Sequence, residues 1–363
     1  MVFPNPFVIG FSMWWKKIIR GLHWRSEVVK SKWHVGYFAF RLQAKWRLDR
    51  LRLPLLSEHY PLYRIIHQHY HKELGCFPNL VNCRDYNDKI QWLKLFDQDE
   101  AKVRCSDKLL VREHVRERIG ERYLVPIFQV ADHYARLDFS KLPNSFVIKT
   151  NHDSGTVILV RDKRKLDHNQ ATLRIDASLQ RIYGWQYGEW GYAGIGPKVF
   201  AEQFIDPENA SAPPDYKFHC VDGRVKLLQF IYDRGMDPKE QMIDRDGQEA
   251  GFVFSHRFKQ GNQFEKPACW SEMVAVAEAI AKGFKYVRVD LYHSSRRIYA
   301  GEMTFWPLAG CYHGDGQKRI GAYLDFDRRT VKPPIAQRYT PFALPEGSRR
   351  GAVDANRSQP EKL

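Results

Sequence analysis

The apolar positions of the first 55 residues are spaced unlike those of the rest of the chain. From Ser26, a fitting N-cap, the run SEVVKSKWHVGYFAFRLQAKWRLDRL sets Phe38, Leu42 and Trp46 at i, i+4 and i+8 with Lys and Arg on the other faces. That spacing predicts an amphipathic helix. Between residues 57 and 140 helical spacing continues with polar breaks. DYNDKIQWLKLF sets Ile90, Leu93 and Leu95 among charges. SDKLLVREHVRERIG is predicted to start at an N-cap, Ser106, to bury Val111, Val115 and Ile119, and to stop at Gly120. From about Leu124 short β-rich runs take over. LVPIFQV, SFVIKT, TVILV, KVFAEQFI, DYKFHCV, RVKLLQFIY, YVRVDLY and RIYAGEMTF read as strands between Gly, Asp and Asn turns. Helices interrupt them near 168–183 and at 271–283, the second expected to start from Ser271 as N-cap, with Met273, Ala277, Ile280 and Phe284 on one face and Gly283 near its end. Asp222-Gly223 between two strand runs is a hairpin signal. Strands joined by tight turns make an antiparallel sheet, so the class is α+β. No internal repeat is visible, and residues 345–363 read as a frayed tail.

Composition narrows the class. The 363 residues suggest about two domains at roughly 150 residues each. Hydrophobic residues at 44% and charged residues at 27% exclude whole-chain disorder and a fibrous repeat. The longest stretch without Asp, Glu, Lys or Arg is residues 1–15, short of the roughly 20 apolar residues of a membrane-spanning helix. Lys16, Lys17 and Arg20 follow that stretch rather than precede it, the reverse of a secretory signal. The net charge of +15 points to a polyanionic partner, and residues 1–60 hold eleven Lys/Arg against three acids together with five of the ten Trp. Two readings fit the predicted N-terminal helix: it lies in the headgroup layer of an anionic membrane, or its apolar stripe packs on the main domain. Cys76, Cys83, Cys105, Cys220, Cys269 and Cys311 are widely spaced, with no Cys-x-x-Cys pair, and read as reduced thiols of a cytoplasmic protein.

Three short stretches carry candidate chemistry. In SFVIKTNHDSGTVILV, Lys149 ends one strand and faces a turn holding Asn151, His152, Asp153, Ser154 and Gly155. Amide groups of such a turn can cradle phosphate while an ammonium supplies a point charge. The plainer reading is a solvated Lys before a polar hairpin, with His152 an ordinary loop histidine. In YVRVDLYHSSRRIYAGEMTFWPLAG, residues two apart on a strand share a face, so Arg288 goes with Asp290 and Glu302 with Thr304. If the two strands pair, a cation, two carboxylates and a hydroxyl converge, a donor set suited to Mg²⁺ and nucleotide phosphate. A cross-strand Arg–Asp pair on a solvated face is the alternative, but such apolar flanks make an unpaired buried carboxylate costly. Third, AEQFI carries Glu202 at a strand end, and Asp215 and Lys217 share a face as the next strand opens.

In this order, NDKIQWLKLFD, SDKLLVRE, LPNSFVIKTNHDSG, DYKFHCVDGRV, KGFKYVRVDLY and GEMTFWPLAG resemble the TupA-like ATP-grasp family, over roughly residues 60–327. The resemblance implies an ATP-grasp fold, two α+β lobes with antiparallel sheets gripping ATP. It divides the chain into the N-terminal helix of residues 1–55, a helical lead-in at 56–140, a small lobe with the phosphate loop at 141–205, a large lobe with the metal site at 206–330, and a tail at 331–363. It implies that Lys149 contacts the α- and β-phosphates beneath the loop from Asn151 to Gly155 and that Lys108 lies near the nucleotide. The backbone from Glu202 through Gln203 to Phe204 would meet adenine, with Asp215 nearby. Lys217 and Arg288 would sit at the γ-phosphate and the reacting oxygens, and Asp290, Glu302 and Thr304 would hold Mg²⁺. Thr304 departs from the Asn usual in the wider fold. The implied reaction activates a carboxylate as an acylphosphate for an amine or similar nucleophile in building a cell-surface polymer, with a lipid-linked glycan as a fitting acceptor. Localisation would be cytoplasmic, at the inner face of a membrane through residues 1–55, and no nucleic-acid partner is expected. The rival readings are a glycosyltransferase using Asp244-Arg245-Asp246 or Asp325-Phe326-Asp327, and a basic membrane- or polyanion-binding protein.

Overall fold

In the computed structural model, residues 55–206, 213–234, 236–254, 257–332 and 335–339 are described. The chain divides into two units, residues 1–57 and 58–363, and the architecture below is that of the second. The N-terminal helix read from Ser26, with Phe38, Leu42 and Trp46, and the tail at 345–363 lie outside the described residues.

Helices come first: α1 (Leu55–Leu74), α2 (Tyr86–Phe96), α3 (Glu100–Ser106) and α4 (Val111–Ile119). Strands β1 (Ile127–Ala131), β2 (Phe146–Thr150) and β3 (Val157–Val160) follow, then α5 (His168–Leu179), the single turn α6 (Trp190–Ala193) and β4 (Val199–Gln203). The remainder is β5 (Asp215–Val221), β6 (Arg224–Tyr232), β7 (Lys239–Asp244), β8 (Lys259–Gln260), α7 (Trp270–Ala281), β9 (Tyr286–Ser294), β10 (Arg297–Thr304) and α8 (Gly316–Tyr323). No helix among the described residues is long and apolar enough to cross a membrane. All six cysteines are free thiols.

Two sheets form, ordered β1-β4-β2-β3 and β10-β9-β5-β6-β7-β8. Every pairing is antiparallel except β7 with β8, as expected of an α+β chain whose strands are joined by short turns. Asp222 and Gly223 both take positive φ, 47° and 74°, and close the β5–β6 hairpin on the Val221–Arg224 pair. That is the backbone a type I′ turn requires. On the small sheet Phe146, Ile148, Val199 and Ala201 turn to one side and pack with Ala171 and Ile175 of α5. The other side is left to Lys149, Phe200 and Glu202. On the large sheet Phe218 packs at 5.7 Å against Trp270 of α7 and Cys220 donates to the carbonyl of Ala277, so that side is core. Strand alternation then sends Lys217, His219, Arg288 and Asp290 to the opposite side.

Local caps correct two expectations. Ser106 ends α3, and its buried hydroxyl finds no partner. α4 itself starts after Leu110 without a side-chain cap, and Asp107 holds the turn before it, accepting from the amides of Leu109 at 2.8 Å and Leu110 at 3.3 Å. α7 begins at Trp270 without a side-chain cap, so Ser271 lies inside it. The predicted stop at Gly120 is where α4 ends, at φ 92°. β7 and β8 escaped the reading of the sequence.

Candidate functional site

Register assembles the charged side of the large sheet. Glu302 faces Asp290 across the β10–β9 pair and Asp290 faces Lys217 across β9–β5, while Thr304, Arg288 and His219 form the next row. A bulge between Ala300 and Glu302 keeps Glu302 and Thr304 in step with these rows. Arg288 is the hub. Its Nε and Nη2 donate to the two carboxylate oxygens of Asp290 at 2.6 and 2.7 Å, and Nη2 also donates to Glu302 Oε1 at 2.9 Å and Thr304 Oγ1 at 3.0 Å. The Thr304 hydroxyl in turn donates to Glu302 at 3.0 Å. Lys217 Nζ donates to Asp290 at 2.5 Å and lies 3.5 Å from Asp215, whose other oxygen is 3.0 Å from Arg234. Among the described residues Arg288 Nη1 makes no bond.

Burial and charge pull the two acids in opposite directions. Burial raises the Asp290 pKa despite Arg288 and Lys217. At Glu302 burial also works upward, but Arg288, Lys217 and Lys108 outweigh it and hold the carboxyl down at about 2. The Glu302 side chain remains about one-third exposed, at 35%. Behind the row, His219 is pushed down to about 3 by burial and by Arg288 and Lys217, so it is neutral, and it shares a hydrogen bond with the Tyr286 hydroxyl at 2.9 Å.

The small sheet contributes the facing wall. Lys149 ends β2 in an ion pair with Glu202 of β4. Lys108 donates to the carbonyl of Asp153, and its pKa is lowered by burial against the pull of Glu302 and Asp153. Between the two sheets lies a narrow cleft that brings Lys108, Lys149 and Glu202 together with Glu302. Its remaining walls are mostly apolar, with Val111 and Val115 of α4, Phe200 and Met303 prominent, and Arg112 is a further cation there. A few polar groups set among apolar walls are the usual composition of a ligand-binding cleft.

The loop after Lys149 spends its side chains on itself. Asp153 is buried, accepting from Thr150 at 2.5 Å, Thr156 at 2.5 Å, Ser178 at 2.7 Å and Arg181 at 2.7 Å. Asn151 bonds Asp107, the Gly196 carbonyl and the Lys198 amide, and His152 bonds the Ser178 carbonyl. Ser154 and Gly155 stay exposed, Gly155 at φ 91° with open space around it. What this loop offers a ligand is therefore backbone and the Ser154 hydroxyl, rather than the side chains of Asn151, His152 and Asp153. At the end of β4 the Gln203 amide is taken by the Pro126 carbonyl at 2.8 Å, and Phe204 lies under Arg161 at 5.1 Å.

Donor chemistry decides whether magnesium and a nucleotide suit these residues. Asp290, Glu302 and Thr304 are hard oxygen donors gathered by one guanidinium. No group of three or more His, Cys, Asp or Glu side chains able to hold a metal exists among the described residues. Two carboxylates with a hydroxyl fit an ion that completes its shell with phosphate oxygens and water, and Glu302 shares the cleft with the ammonium groups of Lys108 and Lys149. The Asp-x-Asp stretches show no such convergence. Asp244 accepts from the amides of Asp246 and Gln248 within its own turn, and Asp327 accepts from Arg329.

Sequence reasoning missed Arg112, the apolar walls Val111, Val115 and Met303, and Arg234. The helical stripe of Val111 and Val115 was visible but read as core; only the fold shows that it borders the cleft.

Residues 88–321 match the model of a family described as TupA-like ATPgrasp. None of the curated proteins matches the chain. Among solved structures, the chain is similar to the D-alanine–D-alanine ligase of Bacillus anthracis complexed with ATP, at 18% identity and a TM-score of 0.32. That match covers 56% of this chain and 55% of the ligase, so the chain spans little more than half the ligase's length. The D-alanine–D-alanine ligase of Helicobacter pylori matches at 12% identity and a TM-score of 0.38, over 68% of each chain. The ATP-grasp ligase PsnB complexed with minimal precursor matches at 12% identity and a TM-score of 0.33, over 65% of this chain and 66% of that one.

Proposed function

The chain belongs to the TupA-like ATP-grasp family, and on that premise we propose that it is an ATP- and Mg²⁺-dependent ligase that activates a carboxylate for attack by an amine or similar nucleophile, in the assembly of a cell-surface polymer. The observation that carries the reading is Arg288: one buried guanidinium ties Asp290 and Thr304 to Glu302, which lines the cleft together with Lys149 of the small sheet and Lys108 of the turn before α4.

In the reaction, a carboxylate oxygen of the substrate attacks the γ-phosphorus of ATP, the bond to the β–γ bridging oxygen breaks, and ADP leaves with that electron pair. The nucleophile then attacks the acyl carbon, phosphate departs, and the amine loses a proton to give the amide. Carboxylate and triphosphate repel each other, so alignment and positive charge are what the protein must supply. Lys149 and Lys108 face the phosphates beside the backbone of Ser154 and Gly155. Lys217 and Arg288 face the transferring group, with Nη1 of Arg288 left to meet an oxyanion. Asp290, Glu302 and Thr304 would hold Mg²⁺, which when bound neutralises phosphate charge. No side-chain nucleophile is needed.

The test is ADP release, in the presence of Mg²⁺, over a panel of amino acids and sugar acids. Lys149→Ala is expected to abolish it while leaving the circular dichroism spectrum and the melting transition of the folded chain in place. Wild-type rates in that variant overturn the site. Protection from thermal unfolding by UDP- or GDP-sugar but not by ATP would instead favour a glycosyltransferase.

A further inference from the structure

Along β9, side chains two apart share a face, so Arg288 and Asp290 are followed on the charged side by Tyr292 and then by Ser294. The far end of this column is closed. There the Ser294 hydroxyl donates to the carbonyl of Asp206 at 2.7 Å, on the chain that leaves β4. Tyr292 therefore stands between the acids and that end, one step of about 7 Å beyond Asp290. It is half-buried and lines the cleft together with Glu302 and Gly301.

A glycine seats the ring. Gly301 is the residue that the β10 bulge leaves without a partner on β9, and a Cβ added to it would stand 2.7 Å from Tyr292 Cε2, closer than packed atoms come. The Asp290 carbonyl oxygen is 3.2 Å from the same point, so the ring is the main obstacle. Gly301 does not take a positive φ, and the backbone alone makes no demand for glycine there. What the missing side chain provides is room for Tyr292. Among the described residues the Tyr292 hydroxyl makes no hydrogen bond and the ring stacks on no other ring, so packing on Gly301 fixes it in the cleft and leaves it without an aromatic partner.

We propose that Tyr292 is the stacking platform for the base of the bound nucleotide. The inference rests on the ligase reading above and assigns the base a residue of its own. With the phosphates at Lys108, Lys149 and the acids, the remainder of a nucleotide extends away from Asp290 and Glu302, and the next side chain along that side of β9 is Tyr292. Phe200 of the small sheet also lines the cleft, so its two aromatic residues come from opposite sheets. A tyrosine ring among apolar walls suits a base of any identity, because every base has a π face. The platform holds the base without choosing it. A ring already seated by Gly301 has little rotamer freedom left to lose when the ligand arrives.

The experiment titrates the full chain with Mg-ATP by calorimetry, in the wild type, Tyr292→Ala, Tyr292→Phe, Gly301→Ala and the double variant Gly301→Ala/Tyr292→Ala, with the melting transition as the check of folding. Tyr292→Ala should weaken binding roughly tenfold, and Tyr292→Phe, which keeps the ring, should restore it to within about threefold of wild type. Gly301→Ala should weaken binding by displacing the ring, and should add nothing in the double variant, where no ring is left to displace. A glycine needed only by the strand would carry its full cost into the double variant. Should Tyr292→Ala fail to fold, Tyr292→Leu takes its place, filling the space without a flat face, and should still lose about fivefold. Unchanged affinity on loss of the ring, a loss in Tyr292→Phe as large as in Tyr292→Ala, or a Gly301→Ala effect that persists in the double variant overturns the platform alone when the wild type binds Mg-ATP. A wild type that binds no Mg-ATP overturns the ligase reading beneath it.

Discussion

The glycine loop of the small sheet and the charged face of the large sheet each bury a carboxylate, and the two are built in contrasting ways. Asp153 is satisfied by neighbours: hydroxyls three residues to either side, a third from α5, and Arg181. Burial raises its pKa, but the Thr150, Thr156 and Ser178 hydroxyls outweigh that and set it below the usual carboxylate range. Asp290 is met by two full cations, Arg288 from its own strand and Lys217 from across the sheet, and burial still wins, raising its pKa. The loop is thus complete without a ligand. The hairpin face keeps charge crowded in a dry place, an arrangement seen where function rather than stability sets the geometry.

This contrast makes Asp290→Asn the largest expected effect. Turnover should fall about 10³-fold, as for loss of an electrostatic group aimed at the reacting atoms. Unfolding free energy should fall as well, because Lys217 and Arg288, both buried, lose the carboxylate charge they pair with. A rate assay paired with urea denaturation checks both; a large loss of stability at wild-type turnover would reverse the assignment of roles between the two carboxylates.

Asp153→Ala is the mirror experiment and the next in size. It strips three hydroxyls and a guanidinium of a common acceptor, at a cost of about 3 kcal/mol in unfolding free energy. The surviving folded fraction should turn over ATP faster than Asp290→Asn does. Equal stability of the variant and the wild type in urea would show that the loop is not self-supporting.

The sequence carried one of these halves better than the other. Alternation placed Arg288 with Asp290 and Glu302 with Thr304, and a single pairing was enough to bring them together. In the loop, Asp153 reads as a phosphate-facing side chain, since nothing local shows that Thr150, Thr156 and Ser178 turn it inward. α2 shows the same limit. The sequence set Ile90, Leu93 and Leu95 among charges, yet the polar Asn87, Gln91 and Lys94 of the same helix are buried too, and their partners Tyr312, Ala309 and Gly310 lie over 200 residues away. β7 was hidden because its polar residues are paired inside: Glu240 accepts from Gln229 at 2.8 Å and from the Phe254 amide at 2.8 Å. Periodicity reports which residues share a face, whereas burial of a polar group is decided by partners supplied from elsewhere in the fold.

The smallest effect tests the electrostatics of the charged face alone. Glu302 is held at about 2, below its ordinary 4.5, so its ionised form stabilises the fold above pH 4.5, and that contribution is lost as the pH falls from about 4.5 through 2. With the side chain about one-third exposed, solvent screening reduces it to of order 1 kcal/mol. Asp290 has the opposite sign. Its folded pKa lies above the ordinary 3.8, so its contribution weakens as the pH rises from 3.8 through the raised value. Unfolding free energies from urea titrations between pH 3 and 7 should therefore separate the two acids. The wild type should lose its advantage over Glu302→Gln as the solution is acidified, and Asp290→Asn should gain on the wild type as the pH is raised. Curves that run parallel to the wild type in both variants would mean that Arg288 and Lys217 do not divide their charge between the two carboxylates as their hydrogen bonds indicate.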